Sequence, residues 1–452
     1  MKKTKYLIVL GDGMADYPDE RGETPLTEAK KPFIDSLAKI SEVGLVQTVP
    51  FGMSPGSDTA NLSVMGYDPK KYYTGRSPLE AASIGIELEA DDICYRMNFV
   101  TLSEDEPFEN KVMLDYSGGE IETEKAVKLV EILKQAMFNK CSFRSVQSID
   151  ENIKLRGRQN VAPTEFVNPH NVRQKEFCGG NRELLEYENS LTLQIKNNSS
   201  FELFAGVSYR NALVWRGLGR PTDANLVPPH DFSDKAVGEF LPPEPFASFI
   251  KTAYDVLSNH PDNDSKANGI WIWGEGTKPK LTPFIKEFGV KGAVISEVDL
   301  VKGIGICAGM TSIDVEGADA SLYTNYDGMV NATIEAFETH DFVYLHIEAP
   351  DECGHKGDRE GKIKAIEFLD SKVVKPLVEN LTNDYHLRLL FLPDHATPLN
   401  LKTHTSDAVP YMLYNSQVAH KKMADAYTEA SAKATGVFEK AGHKLIEKMI
   451  CR

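Results

Sequence analysis

Three aspartates stand where long apolar runs end. Asp12 follows "YLIVLG", Asp351 follows "DFVYLHIEAP" and Asp394 follows "LRLLFLP". Two of them have imidazole company. His355 comes four residues after Asp351, one turn away if the segment is helical, so both side chains can face one point. His395 adjoins Asp394, and His404 returns after the short excursion "ATPLNLKT". Far upstream, the turn-rich stretch "SPGSDTAN" carries Ser57 between an alternating run and a helix-like one. Carboxylate and imidazole without thiolate suit Mn²⁺, Zn²⁺ or Mg²⁺ better than a structural cysteine-type zinc site. Together with Ser57 these seven groups are too many for one tetrahedral ion and about right for two. A pair of ions can clamp the attacking and leaving oxygens of an in-line phosphoryl displacement, and it can make a serine hydroxyl nucleophilic. Taken singly, each aspartate reads as a turn or helix-cap residue. Their joint placement is what favours chemistry.

Such a set needs rigid elements behind it. The runs ahead of the three aspartates, with "GAVIS" (292–296) as a fourth, are continuously apolar and rich in Val, Ile and Leu, as in strands of a parallel sheet buried on both faces. Helical patterns lie between them in "TPFIKEFG", "MVNATIEAFE" and "KIKAIEFLDSKVVKPLVENL". The alternation predicts an α/β sheet with crossover helices, whose functional groups gather at the carboxyl ends of the strands. From about Cys94 to Leu226 the pattern shifts to alternating segments, "SLTLQIKN" and "FELFAGVSY", plus one amphipathic helix, "TEKAVKLVEILKQAMF". The expected organisation is a discontinuous core of residues 1–93 and 227–452 with an inserted smaller α+β domain over 94–226. "RGRQNVAPTEFVNPHNVRQKEFCGGN" within the insert reads as a long polar loop. His346, inside an apolar run, reads as a buried, satisfied core histidine, with support of the site from behind as the alternative.

The chain has 452 residues, 41% hydrophobic and 26% charged, ordinary values for a globular enzyme. Its net charge of −16 disfavours non-specific nucleic-acid binding, yet local arginines or metals can reverse the field for an anionic small substrate. No run reaches the roughly 18 apolar residues of a membrane span. The apolar segment of "MKKTKYLIVLGDG" runs into Gly-Asp-Gly and reads as a first strand, not a signal peptide. The six cysteines are scattered without a Cys-x-x-Cys pair, so a cytoplasmic protein with reduced thiols is expected, as a monomer or small homo-oligomer. A phosphate loop of the G-x-x-x-x-G-K-[ST] type is absent, as is the G-x-G-x-x-G spacing after the first strand.

The set "GDGM", "PGSDTAN", "GYDPKKYYTGRSPLEAA", "EAPDECGH" and "LPDHATP…THT" resembles the archaeal-type cofactor-independent phosphoglycerate mutases, of the alkaline phosphatase superfamily of metalloenzymes. The likeness extends through the insert in "CYRMNFVTLS", "DYSGGEI" and "GVSYRNALVWRG". It implies an alkaline-phosphatase-like, mostly parallel sheet flanked by helices. It implies that Ser57 is transiently phosphorylated, that Asp351, His355 and His404 hold one metal, and that Asp12, Asp394 and His395 hold the second with Ser57 as a further ligand. The two ions would be divalent, Mn²⁺ foremost. The implied reaction is the glycolytic interconversion of 3- and 2-phosphoglycerate, with the insert closing over the site. A related phosphotransferase or phosphohydrolase on the same site, such as the homoserine kinase proposed for this branch, is the alternative. Arg210, Arg216 and Arg76 are the candidates for binding the substrate's carboxylate and phosphate. The chain departs from the relatives in "EGADASLYTNYDGMVNAT", where Asp319-Ala320 stands for Thr-Gly and Met329 for a lysine. If that lysine touches the phosphoryl group, its loss weakens mutase turnover and leaves the metals in place.

Overall fold

The continuous apolar runs form strands because both faces of their sheet are covered. In the computed structural model, which describes residues 2–136, 192–195, 199–217, 226–418 and 423–451, they are Thr4–Gly11, Gly292–Ile295, Phe342–Ile347 and His386–Leu392. The chain divides into two compact units, Met1–Glu87 with Lys278–Arg452, and Leu88–Thr277.

Among the described residues the first unit holds an eight-stranded sheet. Its central strands Phe342–Ile347, Thr4–Gly11 and His386–Leu392 are neighbours and parallel. Val409–Asn415 lies beyond them and runs antiparallel. Side chains alternate across each strand. Leu7, Val9, Val343, Leu345, Leu389 and Phe391 enter one apolar cluster with residues of the helices Pro32–Ala38, Tyr326–Thr339 and Lys375–Asp384. Ile8, Leu10, Phe342, Tyr344, Leu390 and Leu392 enter another, with residues of Ser57–Val64 and Asp299–Cys307. Two buried faces leave no polar alternation for the sequence to display.

Register is what assembles the site. Leu10 stands opposite His346 on one side and Leu392 on the other. Asp12, Glu348 and Asp394 each come two residues later, so all three leave the sheet at one level on adjacent strands, which lie about 4.8 Å apart. Asp351 follows on the helix Ala349–Lys356, which begins directly after its strand.

The second unit is antiparallel. Ile93–Leu102 pairs with Arg210–Arg216, with Gly269–Thr277 and with Met113–Asp115; Ser199–Phe204 and Thr192–Ile195 follow outward. Its core includes Ala126, Leu129, Val130 and Leu133 of the helix over residues 123–136, and Phe246, Phe249 and Ile250 of Phe246–Leu257. This unit runs further than the boundary of 94–226 read from the sequence. The reason is Gly269–Thr277, whose apolar "GIWIW" reads equally as core strand but hydrogen-bonds along most of Ile93–Leu102. The polar loop expected over 156–181 lies outside the described residues. No helix among the described residues is long and apolar enough to cross a membrane.

Candidate active site

The seven metal and nucleophile candidates named from the sequence belong to the first unit and gather at the strand ends. Two groups form there, Asp351 with His355 and His404, and Asp12 with Asp394 and His395; within each, ligand atoms lie within 4.8 Å of one another.

In the first group, helical spacing brings His355 Nε2 to 3.1 Å from Asp351 Oδ2. His404 is delivered by a loop pinned where Thr405 N–H donates to the Ala396 carbonyl at 2.9 Å. Its Nε2 lies 3.5 Å from the same Asp351 oxygen and 2.9 Å from His355 Nε2. The Nδ1–H of His355 donates to the Lys402 carbonyl at 3.0 Å, which leaves Nε2 as the lone-pair nitrogen of the neutral ring. Three basic atoms thus face a common point.

In the second group, the tautomer of His395 follows from its neighbours. The Thr397 hydroxyl donates to Asp351 Oδ1, so toward His395 Nδ1, 3.3 Å away, it must accept. His395 Nε2 therefore carries the lone pair. It stands 3.2 Å from Ser57 Oγ, 3.3 Å from Asp394 Oδ2 and 3.6 Å from Asp12 Oδ1. Ser57 opens the helix Ser57–Val64 just after the bend made by Pro55 and Gly56. Asn61, one turn on, donates to the Ser57 carbonyl at 2.9 Å and to Asp394 Oδ2 at 2.8 Å, and accepts from the Tyr344 hydroxyl at 2.7 Å. Gly13 N–H donates to Asp394 Oδ1 at 3.2 Å. Gly13 must be glycine: its φ is 57°, and a Cβ there would strike the Asp351 carboxylate and the Thr397 hydroxyl.

The electrostatics call for a cation. Asp12 is fully buried, and its Oδ1 has no hydrogen-bond partner among the described residues. Burial, then the charges of Asp394, Glu348 and Asp351, push its carboxyl well above the usual range. Burial likewise raises Glu348, reinforced by Asp351. At Asp351 burial is outweighed by hydrogen bonds from His355 and His404, which hold it well below that range. Buried carboxylates crowded this way stay ionised only beside positive charge, and an oxygen and imidazole donor set fits a divalent ion. Burial lowers His395, and it lowers His346 to about 4, so both rings are neutral near neutral pH.

His355 behaves oppositely, raised to about 8 chiefly by its hydrogen bond to Asp351. In the metal-free protein, then, its ion pair stabilises fully below the ordinary histidine value of 6.5 and fades as pH rises through about 8. An ion taking Nε2 must displace that proton. Apparent Mn²⁺ affinity at this group should therefore climb by up to about tenfold per pH unit and level off above about pH 8. Equilibrium dialysis at about pH 6.5, 7.5 and 8.5 checks this; a flat profile would remove His355 from the ligand set.

The three candidate arginines differ. Arg76, also in the first unit, is paired with Glu80 at 2.7 Å. Arg216 is held by Asp92 at 2.5 Å and Glu202 at 2.8 Å, so its charge is already matched. Arg210, exposed at the start of its strand, stacks over Tyr209 with its guanidinium 4.5 Å from the ring centre. Met329 is fully buried in the apolar cluster that also holds Met14, Ile347 and Ala349, so that position contributes packing and no charge. Ala320, where the resemblance expects glycine, keeps a left-handed φ of 66°, a strained conformation for alanine.

Asn61, Thr397 and Glu348 went unnamed as site residues from the sequence. Their signal was present: Asn61 is four residues after Ser57, Thr397 two after His395, and Glu348 three before Asp351. Spacing alone does not separate such residues from ordinary helix and turn residues.

A mostly parallel sheet carrying buried carboxylate and imidazole groups at its strand ends defines a divalent-metal enzyme, and the Metalloenzyme superfamily profile matches residues 4–451; the chain belongs to that superfamily. A 2,3-bisphosphoglycerate-independent phosphoglycerate mutase from Methanothrix thermoacetophila is 40% identical over 460 residues, covering 99% of each chain. Within the superfamily this chain belongs to the 2,3-bisphosphoglycerate-independent phosphoglycerate mutase family. Two solved structures share the fold. One, from Pyrococcus horikoshii, has TM-score 0.71 at 24% identity, covering 100% of this chain and 97% of that one. The other, a cofactor-independent phosphoglycerate mutase from Thermoplasma acidophilum, has TM-score 0.60 at 20% identity, covering 100% and 99%.

Proposed function

We propose that the chain interconverts 3-phosphoglycerate and 2-phosphoglycerate through a phosphoserine at Ser57, with two divalent ions. The observation that carries this reading is Ser57 Oγ standing 3.2 Å from the lone-pair nitrogen of His395, beside two groups of buried carboxylates and imidazoles. Asp351, His355 and His404 would hold one ion; Asp12, Asp394 and His395 the other, with the Ser57 oxygen as a further ligand. Bound there, the ions would acidify the serine hydroxyl and neutralise charge on the transferring phosphoryl group. A mixed carboxylate and imidazole set suits Mn²⁺, Zn²⁺ or Mg²⁺, and Mn²⁺ is the ion proposed.

Ser57 Oγ attacks the phosphorus of 3-phosphoglycerate, the bond to the 3-oxygen breaks, and the proton lost by the serine hydroxyl ends on that 3-oxygen as glycerate is released. Glycerate reorients, its 2-hydroxyl attacks phospho-Ser57, and the serine hydroxyl is restored. Free backbone amides at the start of Ser57–Val64 would be available to the phosphoryl oxygens. Asn61 fixes that helix start against Asp394. Among the candidate arginines, Arg210 is the one whose exposed guanidinium lacks the carboxylate clamp of Arg216, and it is the preferred partner of the substrate carboxylate.

With Mn²⁺, the protein should convert 3-phosphoglycerate to 2-phosphoglycerate in a coupled assay without added bisphosphoglycerate or ATP, and chelation should abolish the signal. ATP-dependent phosphorylation of homoserine without isomerisation would replace this reading. The relatives lend that alternative no support.

A further inference from the structure

Behind the Asp12 group a third set of potential ligands comes together. Asp12, His346 and Glu348 present oxygen and nitrogen atoms within 4.8 Å of one another, all at the ends of adjacent strands. It reads at first as another ion site. The hydrogen bonds decide otherwise.

Ser296 Oγ accepts from the Val298 N–H at 3.0 Å and lies 3.1 Å from His346 Nδ1. Its hydroxyl proton goes to the ring, the nearer acceptor, the Val298 carbonyl lying farther off at 3.4 Å. His346 Nε2 stands 2.8 Å from Asp12 Oδ2, and the ionised carboxylate that a metal ligand must be can only accept. The ring is then the tautomer with Nε2–H, and its single lone pair, on Nδ1, is taken by Ser296. A neutral imidazole engaged at both nitrogens has no lone pair left for an ion.

From this we infer that His346 is a positioning residue for the metal ligand Asp12. The chain Val298 N–H, Ser296 Oγ, His346, Asp12 Oδ2 runs from a backbone amide to one carboxylate oxygen and leaves the other, Oδ1, aimed toward His395 without a donor of its own. Its three side chains are buried: His346 and Asp12 fully, and Ser296 at 4% exposed. The fold supplies this placement through strand alternation. Tyr344 and His346 share one face of Phe342–Ile347, and their polar tips reach Asn61 and Asp12 respectively. An outer hydrogen bond of this kind fixes carboxylate orientation and tunes metal affinity by about 10- to 100-fold.

The inference rests on the two-metal reading, and Mn²⁺ binding at fixed pH separates the two. Wild-type protein should take up two ions. His346→Phe should weaken one of them by about 10- to 100-fold and leave the other nearly unchanged. His404→Ala, which strips the other group of a ligand, identifies the step belonging to Asp12. His346→Gln keeps an N–H donor toward Asp12 and should recover most of the lost affinity, a rescue that a purely packing role would not produce. Ser296→Ala, a smaller change, should weaken the same step by several-fold and carries the test if His346→Phe does not fold. Equal weakening of both steps, no recovery in His346→Gln, or wild-type affinity in Ser296→Ala would overturn the inference while two ions still bind. A wild-type chain that binds nothing at the Asp12 group would refute the two-metal reading, and the inference with it.

Discussion

Ser57→Ala is expected to lower kcat by at least about 10³-fold with both ions still bound. The hydroxyl oxygen is the atom that would form and break the bond to phosphorus, and two polar neighbours in this site do not replace it: Asn61 is an amide, and the Thr397 hydroxyl is committed to Asp351. The backbone should tolerate the change. Ser57 is the first residue of its helix, alanine is a good helix former, and the Asn61 bond goes to the Ser57 carbonyl, which alanine keeps. Mass spectrometry of wild-type protein quenched during turnover should find one added phosphoryl group on Ser57 and none in the variant. Undiminished turnover in Ser57→Ala would eliminate the covalent route and leave direct transfer between substrates.

The second large effect is expected at Asp351. Its Oδ2 lies beside both His355 and His404, and its Oδ1 accepts from Thr397, which in turn sets the tautomer of His395. Asp351→Asn removes the carboxylate proposed as the anionic ligand of the first group and places a donor where an acceptor is required. We expect that group to lose its ion at Mn²⁺ concentrations that saturate the wild type, and kcat to fall by about 10³-fold or more. The same substitution lets His355 drop toward its ordinary titration range, because the bond that raised it to about 8 is gone. Metal analysis after desalting, with the wild-type protein as the control, gives the stoichiometry. Two ions retained by Asp351→Asn would remove this carboxylate from the ligand set.

The central strands were legible because they are buried on both faces, and "YLIVL", "FVYLHI" and "LRLLFL" show it as unbroken apolar runs. The one-turn partnership of Asp351 and His355 was legible because helical periodicity is local. Val409–Asn415 was not foreseen as the antiparallel strand closing that side of the central three, since direction is a property of pairing and leaves no mark on composition. Nor could the extent of the second unit be read, because "GIWIW" suits either sheet until its partner is known.

By itself, then, the sequence determined which residues could bind metal and that a serine stood available to them, because residue type and local spacing carry that chemistry. Only the tertiary structure decided who works with whom. Strand register brings Asp12, Glu348 and Asp394 to one level although more than three hundred residues separate the first from the others. The same register carries His346, which the sequence could read only as a core histidine or a distant support, to hydrogen-bonding distance of Asp12. Arg216 shows the reverse: a guanidinium that looked available in the sequence is neutralised by Asp92 and Glu202, brought to it by neighbouring chain segments. Non-local pairing supplies both results, and one chain read from end to end contains no term for it.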